Sequence, residues 1–181
     1  MKNTEQILNK FGSRLVKSTK NNLKDLDKVA SGALIDSVRY ELNVFPNSFS
    51  LAIFMQRYWT YVDHGVQGIG GNKADGTPWK LKRVTSSKHS FKRGLENKPS
   101  RRHFDRWTVV KGLAPRTSGG QFLPRRSMTE AISHAVWRQG LETTEFFRGP
   151  FGKEFNNLPE DFAQAFGLDV DDFLKHALNI I

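Results

Sequence analysis

The sequence contains no cysteine. Disulfide bonds, thiol catalysis and zinc sites built on cysteine ligands are therefore excluded. The chain also has no apolar run near the roughly 20 residues that a membrane-spanning helix needs. Its first residues, Met1 to Gln6, are not followed by an apolar segment of signal-peptide length. We therefore expect a protein that is soluble and cytoplasmic when synthesised, with no membrane partner.

Acidic residues are scarce in one long segment. Residues 66–126 hold fifteen Lys and Arg against three acids, a net charge of +12. The whole chain carries +10, so all other residues together sum to −2. A charge concentrated in this way points to a polyanion or to an acidic protein surface as the partner. We call residues 66–126 the basic loop.

The common catalytic motifs are also missing. The sequence has no nucleophile elbow, no phosphate-binding glycine loop and no dinucleotide fingerprint. Its five histidines are scattered, without a spacing that would place metal ligands on one helix face. We therefore predict that the protein is not an enzyme and has no catalytic residue, metal site or cofactor. His103 and Asp105 in the basic loop are the candidates of an alternative hypothesis, a nuclease.

Hydrophobic periodicity predicts a long amphipathic helix over residues 4–30. From Val38 every second residue is apolar, and a similar run starts at Phe49 after the turn signal Pro46–Ser48. These runs predict an antiparallel hairpin. We expect its second strand inside a sheet, because both of its faces are apolar. Trp107–Val110 could form one further strand.

The C-terminal part of the chain is predicted to be helical. Ser127 and Glu130 fit a capping box at the start of a helix. The buried stripe of that helix should consist of Ala131, Ile132, Ala135, Val136 and Trp137. Residues 150–181 hold six acids against two lysines, and we expect two short helices there, separated at Gly167. The second should turn four residues inward: Val170, Phe173, Leu174 and Ala177.

These elements predict an α+β fold. A small antiparallel sheet would be packed by an N-terminal and a C-terminal helix, with a long basic loop insertion and an acidic helical tail. We divide the chain into a body of residues 1–149, which includes the basic loop, and an acidic helical extension of residues 150–181. A sheet of this size leaves edges that must be covered or paired.

Basic and aromatic residues are interleaved in the basic loop. Lys and Arg can neutralise phosphates independently of sequence, and the aromatic side chains could stack on bases. The same aromatic residues could instead anchor the loop to its own domain or to a neighbouring subunit. The candidates for DNA or partner contact are Lys80, Lys82, Arg83, Lys88, Lys92, Arg93, Arg101, Arg102 and Arg106.

Three short segments occur in a suggestive order. Ser31-Gly32-x-Leu34-x-x-Ser37-Val38 precedes the hairpin, and Tyr58-x-x-Tyr61-Val62-Asp63-x-Gly65 follows it. Phe122-Leu123-Pro124 leads into a later helix. Over roughly residues 4–145 this order resembles the tail-completion or neck proteins of tailed bacteriophages. The chain departs from that family in having Asp63 for the commoner Glu, Val66 for Thr, and a longer, more basic loop.

The resemblance implies a virion structural protein, of the minor tail protein type, that forms a homo-oligomeric ring. The ring would join the head connector or adaptor protein to the tail terminator or tail tube protein and surround the DNA channel. The protein would lie in the neck or tail of the virion, and in the host cytoplasm during assembly. The basic loop would face the DNA, a neighbouring subunit or another ring. The alternative is a small basic DNA-binding protein or nuclease acting through residues 66–126.

Overall fold

The computed structural model describes residues 2–27, 32–45, 48–85, 87–114, 116–117, 119–122 and 124–178. Its helices are α1 (Lys2–Asp25), α2 (Ala33–Ser37), α3 (Trp59–His64), α4 (Arg102–Val110), α5 (Arg125–Gln139) and α6 (Arg148–Leu178). Its strands are β1 (Arg39–Phe45), β2 (Ser48–Phe54), β3 (Val66–Gln67) and β4 (Gly140–Leu141). A short 3-10 turn covers Leu95–Asn97. The predicted α+β class is confirmed, with two small antiparallel sheets among these residues.

The chain forms two compact units. The first, which we call the helix–hairpin unit, takes its described residues from Met1–Lys28, Leu34–Gln56 and Phe146–Ile181. The second takes them from Val29–Ala33 and Arg57–Glu145. The second has seventeen Lys and Arg against seven acids in the sequence, a net charge of +10, and we call it the basic unit. The first unit therefore carries no net charge.

Helix α1 is the centre of the helix–hairpin unit. Its buried residues include Leu8, Phe11, Leu15 and Leu23, which recur at helical spacing. Gly12 does not break the helix, because the Tyr40 ring of β1 lies against it. A Cβ atom at Gly12 would come within 2.5 Å of that ring. Leu26 is exposed, and the predicted continuation through Val29 and Ala30 lies outside the described residues.

Helix α6 runs antiparallel to α1. The backbone amides of Asn3 and Thr4 bond to Asp169 near the end of α6, whereas Asn22 bonds to the carbonyl of Phe146 just before its start. The prediction of two short helices separated at Gly167 is therefore wrong. Packing along α1 outweighs the weak helix propensity of glycine. The helix also accommodates Pro159.

The predicted antiparallel hairpin is confirmed, and its register runs from Arg39 opposite Phe54 to Phe45 opposite Ser48. The turn signal at Pro46 and Asn47 lies outside the described residues. Within those residues the sheet contains only β1 and β2, so the prediction that β2 lies inside a sheet is wrong. Its apolar Phe54 is exposed, with the Arg39 guanidinium 4.5 Å from the centre of its ring.

Three sequence-based predictions for the basic unit are corrected. Trp107–Val110 is the end of helix α4 and is not a strand. Helix α5 starts two residues before the predicted capping box, with Pro124 at the N-cap and no side-chain cap bond. Its buried residues are Thr129, Ser133 and Trp137. Of the predicted stripe only Trp137 is therefore buried, since Ala131 is exposed and Ile132, Ala135 and Val136 are half-buried.

The predicted division at residue 150 differs from the observed grouping. Helix α6 is not an appendage, because it packs along α1 in the same unit as the hairpin. The rings of Phe49 in β2 and Phe162 in α6 also pack edge to face, with ring centres 6.5 Å apart. Among the described residues no helix is long and apolar enough to cross a membrane.

Candidate functional site

The first part of the basic loop is attached to the C-terminal end of α5 through its backbone. The amides of Ile69 and Gly70 donate to the carbonyls of Trp137 and Arg138, at 3.1 and 2.9 Å. The amide of Lys82 donates to the carbonyl of Gln139 at 2.9 Å. These carbonyls have no partner inside a helix that ends there. The loop therefore caps α5 and is held by it.

Side chains of α5 hold the middle of the loop. The indole Nε1 of Trp137 donates to the carbonyl of Lys92 at 2.9 Å. The hydroxyl of Ser133 donates to the carbonyl of Pro99, and Lys98 pairs with Glu130. Ser133 and Trp137 are buried and lie one turn apart. The small polar Ser133 occupies the core because the loop backbone supplies its hydrogen-bond acceptor.

The segment Val62–Gly65 joins the start of the loop to the chain after α5. The Asp63 carbonyl accepts from the amides of Thr144 and Glu145, both at 3.1 Å. The Thr144 hydroxyl donates to the carbonyl of Val62 at 2.7 Å. Gly65 has φ +75°, and a Cβ atom there would lie 2.5 Å from the Leu141 carbonyl oxygen. Only glycine fits both the backbone conformation and this close approach.

The second family-like segment, Tyr58–Gly65, is only partly buried. It forms helix α3, and the Asp63 side chain is fully buried. Tyr58 and Tyr61 are exposed, by 43% and 47%. Tyrosines three residues apart share one side of a helix, and Asp63 lies on the other. Tyr61 instead packs on His89 of the basic loop, with ring centres 4.5 Å apart.

The first family-like segment contains α2 and leads directly into β1 of the hairpin. Leu34 is buried, and Gly32 has φ +79°. The Ser37 hydroxyl donates to the carbonyl of Leu34 at 2.7 Å and accepts from the amide of Gln56 at 3.0 Å. Ser37 therefore fixes the short helix against the end of β2. Ser31 lies outside the described residues.

The third family-like segment lies on the surface of the basic unit. Phe122 is exposed, and the Arg116 guanidinium lies 4.1 Å from the centre of its ring. Pro124 is exposed at the N-cap of α5. Leu123 lies outside the described residues. The segment introduces α5 as predicted, but Phe122 contributes no buried surface to the core.

The predicted contact residues of the basic loop point outward. All except Arg101 are exposed, and Arg101 is half-buried. The backbone of the same residues faces inward: Lys82, Arg83 and Lys92 bond to Gln139, Thr143 and Trp137 respectively. None of the predicted contact side chains makes an ion pair within the described part of the chain. The backbone of the basic loop is thus held in place, whereas the positive charges of its predicted contact side chains are not neutralised by ion pairs within the described residues.

The nuclease pair of the alternative hypothesis does not form a joint site. His103 and Asp105 both lie on α4, two residues apart. Side chains at this spacing point to opposite sides of a helix. Among the described residues, no three His, Asp or Glu side chains come close enough to hold a metal ion.

A second feature of α5 is His134, which lies between two tryptophans. Its ring centre is 5.7 Å from that of Trp79 and 5.9 Å from that of Trp137. Burial lowers the pKa of His134, and the positive charges of Arg138 and Lys98 lower it further. The carboxylate of Glu130 acts in the opposite direction but does not reverse the shift. The fold therefore favours the neutral imidazole.

We expect the basic unit to lose stability as the pH falls below about 6.5, the ordinary pKa of histidine. The folded pKa is lower, so the unfolded chain binds this proton more readily and acid favours unfolding. Melting temperatures measured from pH 8 to pH 5 should fall less steeply for His134→Gln than for the wild type. The matched control is His103→Gln, at an exposed position. Identical slopes for wild type and His134→Gln would contradict the expectation.

An exposed apolar stripe on α6 was not predicted. Val170, Phe173 and Leu174, which periodicity assigned to the core, are all exposed. Phe166 and Leu178 continue the same side of the helix and are exposed as well. We call these five residues the α6 stripe. Periodicity finds an apolar helix face but cannot tell whether its partner is in the same chain.

The comparisons with known proteins found no relative of the chain. No family model matches the chain, and neither the curated proteins nor the solved structures gave a match.

Proposed function

We propose that the protein is a virion structural subunit of the neck of a tailed bacteriophage. Copies of the chain would assemble into a ring that joins the head connector to the tail and surrounds the DNA channel. The observation that carries the proposal is the apolar surface of the α6 stripe. Of its side chains, Phe173 and Leu178 are each 69% exposed.

Exposed apolar area of this kind is typical of a surface that binds another protein. Single exposed apolar residues are ordinary, but here five recur on one side of one helix. The hairpin adds Val44, Phe45 and Phe54, which are also exposed. A two-stranded sheet has a free edge on each side unless a neighbour covers it. Association between copies would bury both features.

A ring needs heterologous contacts, in which one patch meets a different patch of the next copy. The chain has surfaces of unlike charge to supply them. The basic unit carries +10, whereas residues 150–181 carry −4. The placement of the ring in the phage neck rests on the order of the three family-like segments and on their spacing around the hairpin.

The positive surface of the basic loop suits a second task in this ring. Lys and Arg on a fixed backbone would contact the phosphates of DNA in the channel without reading its sequence. The loop is attached to its own α5 and offers a charged surface, so it would not need to order itself on binding. The basic loop is therefore better suited to form part of the channel wall than to act as a flexible arm.

The decisive experiment combines self-association with head–tail joining. Sedimentation velocity and negative-stain images of the purified protein should show closed rings at micromolar concentration. Phage particles lacking the protein should accumulate as separate heads and tails, and adding it back should join them. A protein that stays monomeric at 100-fold higher concentration, and that heads and tails do not need, would overturn the proposal.

Duplex DNA binding tests the alternative function. A monomer that binds DNA tightly, with log affinity falling steeply against log salt, would favour a DNA-binding protein. Neutral substitution of Lys80, Lys82 and Arg83 would then reduce that slope. Cleavage of DNA that depends on a metal ion and is lost in His103→Ala would favour a nuclease. Rings that join heads to tails without such binding leave the neck proposal in place.

A further inference from the structure

The α6 stripe lies on the part of the helix near and beyond the start of α1. Asp169 bonds to the first amides of α1, and α6 continues through residues 170–178. The stripe residues are three or four positions apart, so they lie on one side of the helix. Asp171 lies at one edge of the stripe and is exposed, and residues 150–181 as a whole carry a net charge of −4. A partner for this surface must therefore combine apolar contact with positive charge.

Helix α4 of the basic unit has this combination. Arg102 and Arg106 are exposed and lie one turn apart. Val109 and Val110 follow on the next turn and are 55% and 51% exposed. Leu113, just after the helix, is exposed as well. We call these five residues the α4 face.

We propose that the α6 stripe of one copy docks on the α4 face of a second copy. The apolar side chains would form the dry centre of the contact, and the two arginines would meet Asp171 at its rim. The inference rests on the proposed self-assembly and names the surfaces that make it. Because the two surfaces differ, the contact can repeat from copy to copy and close into a ring.

Charge also argues against the simplest competing arrangement. In a symmetric pair of α6 helices, the same surface would face itself. Asp171 of the two copies would then be brought together, and like charges in an interface oppose association. A basic partner surface removes this repulsion and speeds the encounter between the copies.

Charge reversal with rescue tests the contact. One variant carries Arg102→Glu and Arg106→Glu, and the other carries Asp171→Lys. Each alone should associate about tenfold more weakly than the wild type in sedimentation velocity, or worse, because like charges now face each other. An equimolar mixture should recover association, since each altered surface then meets an opposite one. The matched control is Lys17→Glu with Lys24→Glu, exposed on α1, which should associate like the wild type.

The outcomes separate this contact from the proposed function. Thermal unfolding of each variant first establishes that it is folded. Wild-type rings that persist unchanged in both reversal variants would overturn the α6–α4 contact and leave the neck proposal standing. Absence of self-association in the wild type would overturn both. Loss of head–tail joining in Asp171→Lys, with ring formation intact, would assign the α6 stripe to a contact with a different protein and overturn the contact between copies.

Discussion

Replacing Trp137 by alanine should destabilise the basic unit by about 3–5 kcal/mol. Trp137 is only 3% exposed, and its indole nitrogen holds the carbonyl of Lys92. Its ring also packs against His134, and the Arg138 guanidinium lies 4.9 Å from its centre. Removal of the ring leaves a cavity at the point where the basic loop meets α5. Urea unfolding followed by circular dichroism measures the loss.

Limited trypsin digestion tells whether the loop is released. In Trp137→Ala we expect early cleavage after Lys88, Lys92 or Arg93, because local opening exposes the backbone around Lys92. Trp137→Phe is the matched variant, since it keeps most of the ring and loses only the indole hydrogen bond. It should cost about 1 kcal/mol. Unchanged digestion of Trp137→Ala would mean that the loop is not held by α5.

The anchoring of the basic loop shows what the sequence could and could not predict. Composition correctly locates the positive charge, and the aromatic residues of the loop favour order over disorder. The residues that hold the loop, however, act through its backbone. Ser133 and Trp137 bond to the carbonyls of Pro99 and Lys92. Because every residue has a backbone carbonyl, a sequence pattern does not show which carbonyl accepts a given hydrogen bond. Neither contact could be inferred from side-chain types.

Helical elements were predicted best where one chain segment packs along another. The apolar spacing of α1 predicts its buried face, including Leu8, Phe11 and Leu15. The same rule failed for α6, where Phe173 and Leu174 were assigned to the core but are exposed. An apolar helix face indicates that its burial is favourable, but it does not indicate whether the same chain or another molecule covers it. The α6 residues that this rule wrongly assigns to the core are the ones that we propose to contact a second copy.

Short segments were harder to predict. Trp107–Val110 has the β-branched and aromatic residues typical of a strand, yet it ends helix α4. None of the strands in the described part of the chain pairs with it, and a helix satisfies its backbone groups locally. Gly65 shows the opposite case. Its role as a motif residue was predicted, but the close approach of the Leu141 carbonyl that demands glycine is visible only in the structure.

Replacing Asp169 by alanine should destabilise the helix–hairpin unit by about 2–3 kcal/mol. The carboxylate is 6% exposed and accepts from the amides of Asn3 and Thr4, at 3.0 and 2.9 Å, and from the Thr4 hydroxyl at 2.7 Å. It thus caps the positive end of α1 from a distant part of the chain. Alanine would leave these buried donors without their acceptor. Urea unfolding at pH 7 measures the loss.

The Asp169 carboxylate also makes the stability of the helix–hairpin unit depend on pH in the acidic range. Burial alone raises the pKa of Asp169, but the hydrogen bonds from Thr4 and Asn3 outweigh it and hold the pKa at about 2, below its ordinary 3.8. The unfolded chain therefore takes up this proton first. The contribution is complete above about pH 5 and is lost as the pH falls toward 2. Asp169→Asn, which keeps the shape without the charge, should lose stability less steeply over that range. Equal slopes for Asp169→Asn and the wild type would exclude Asp169 as the acid-sensitive cap of α1.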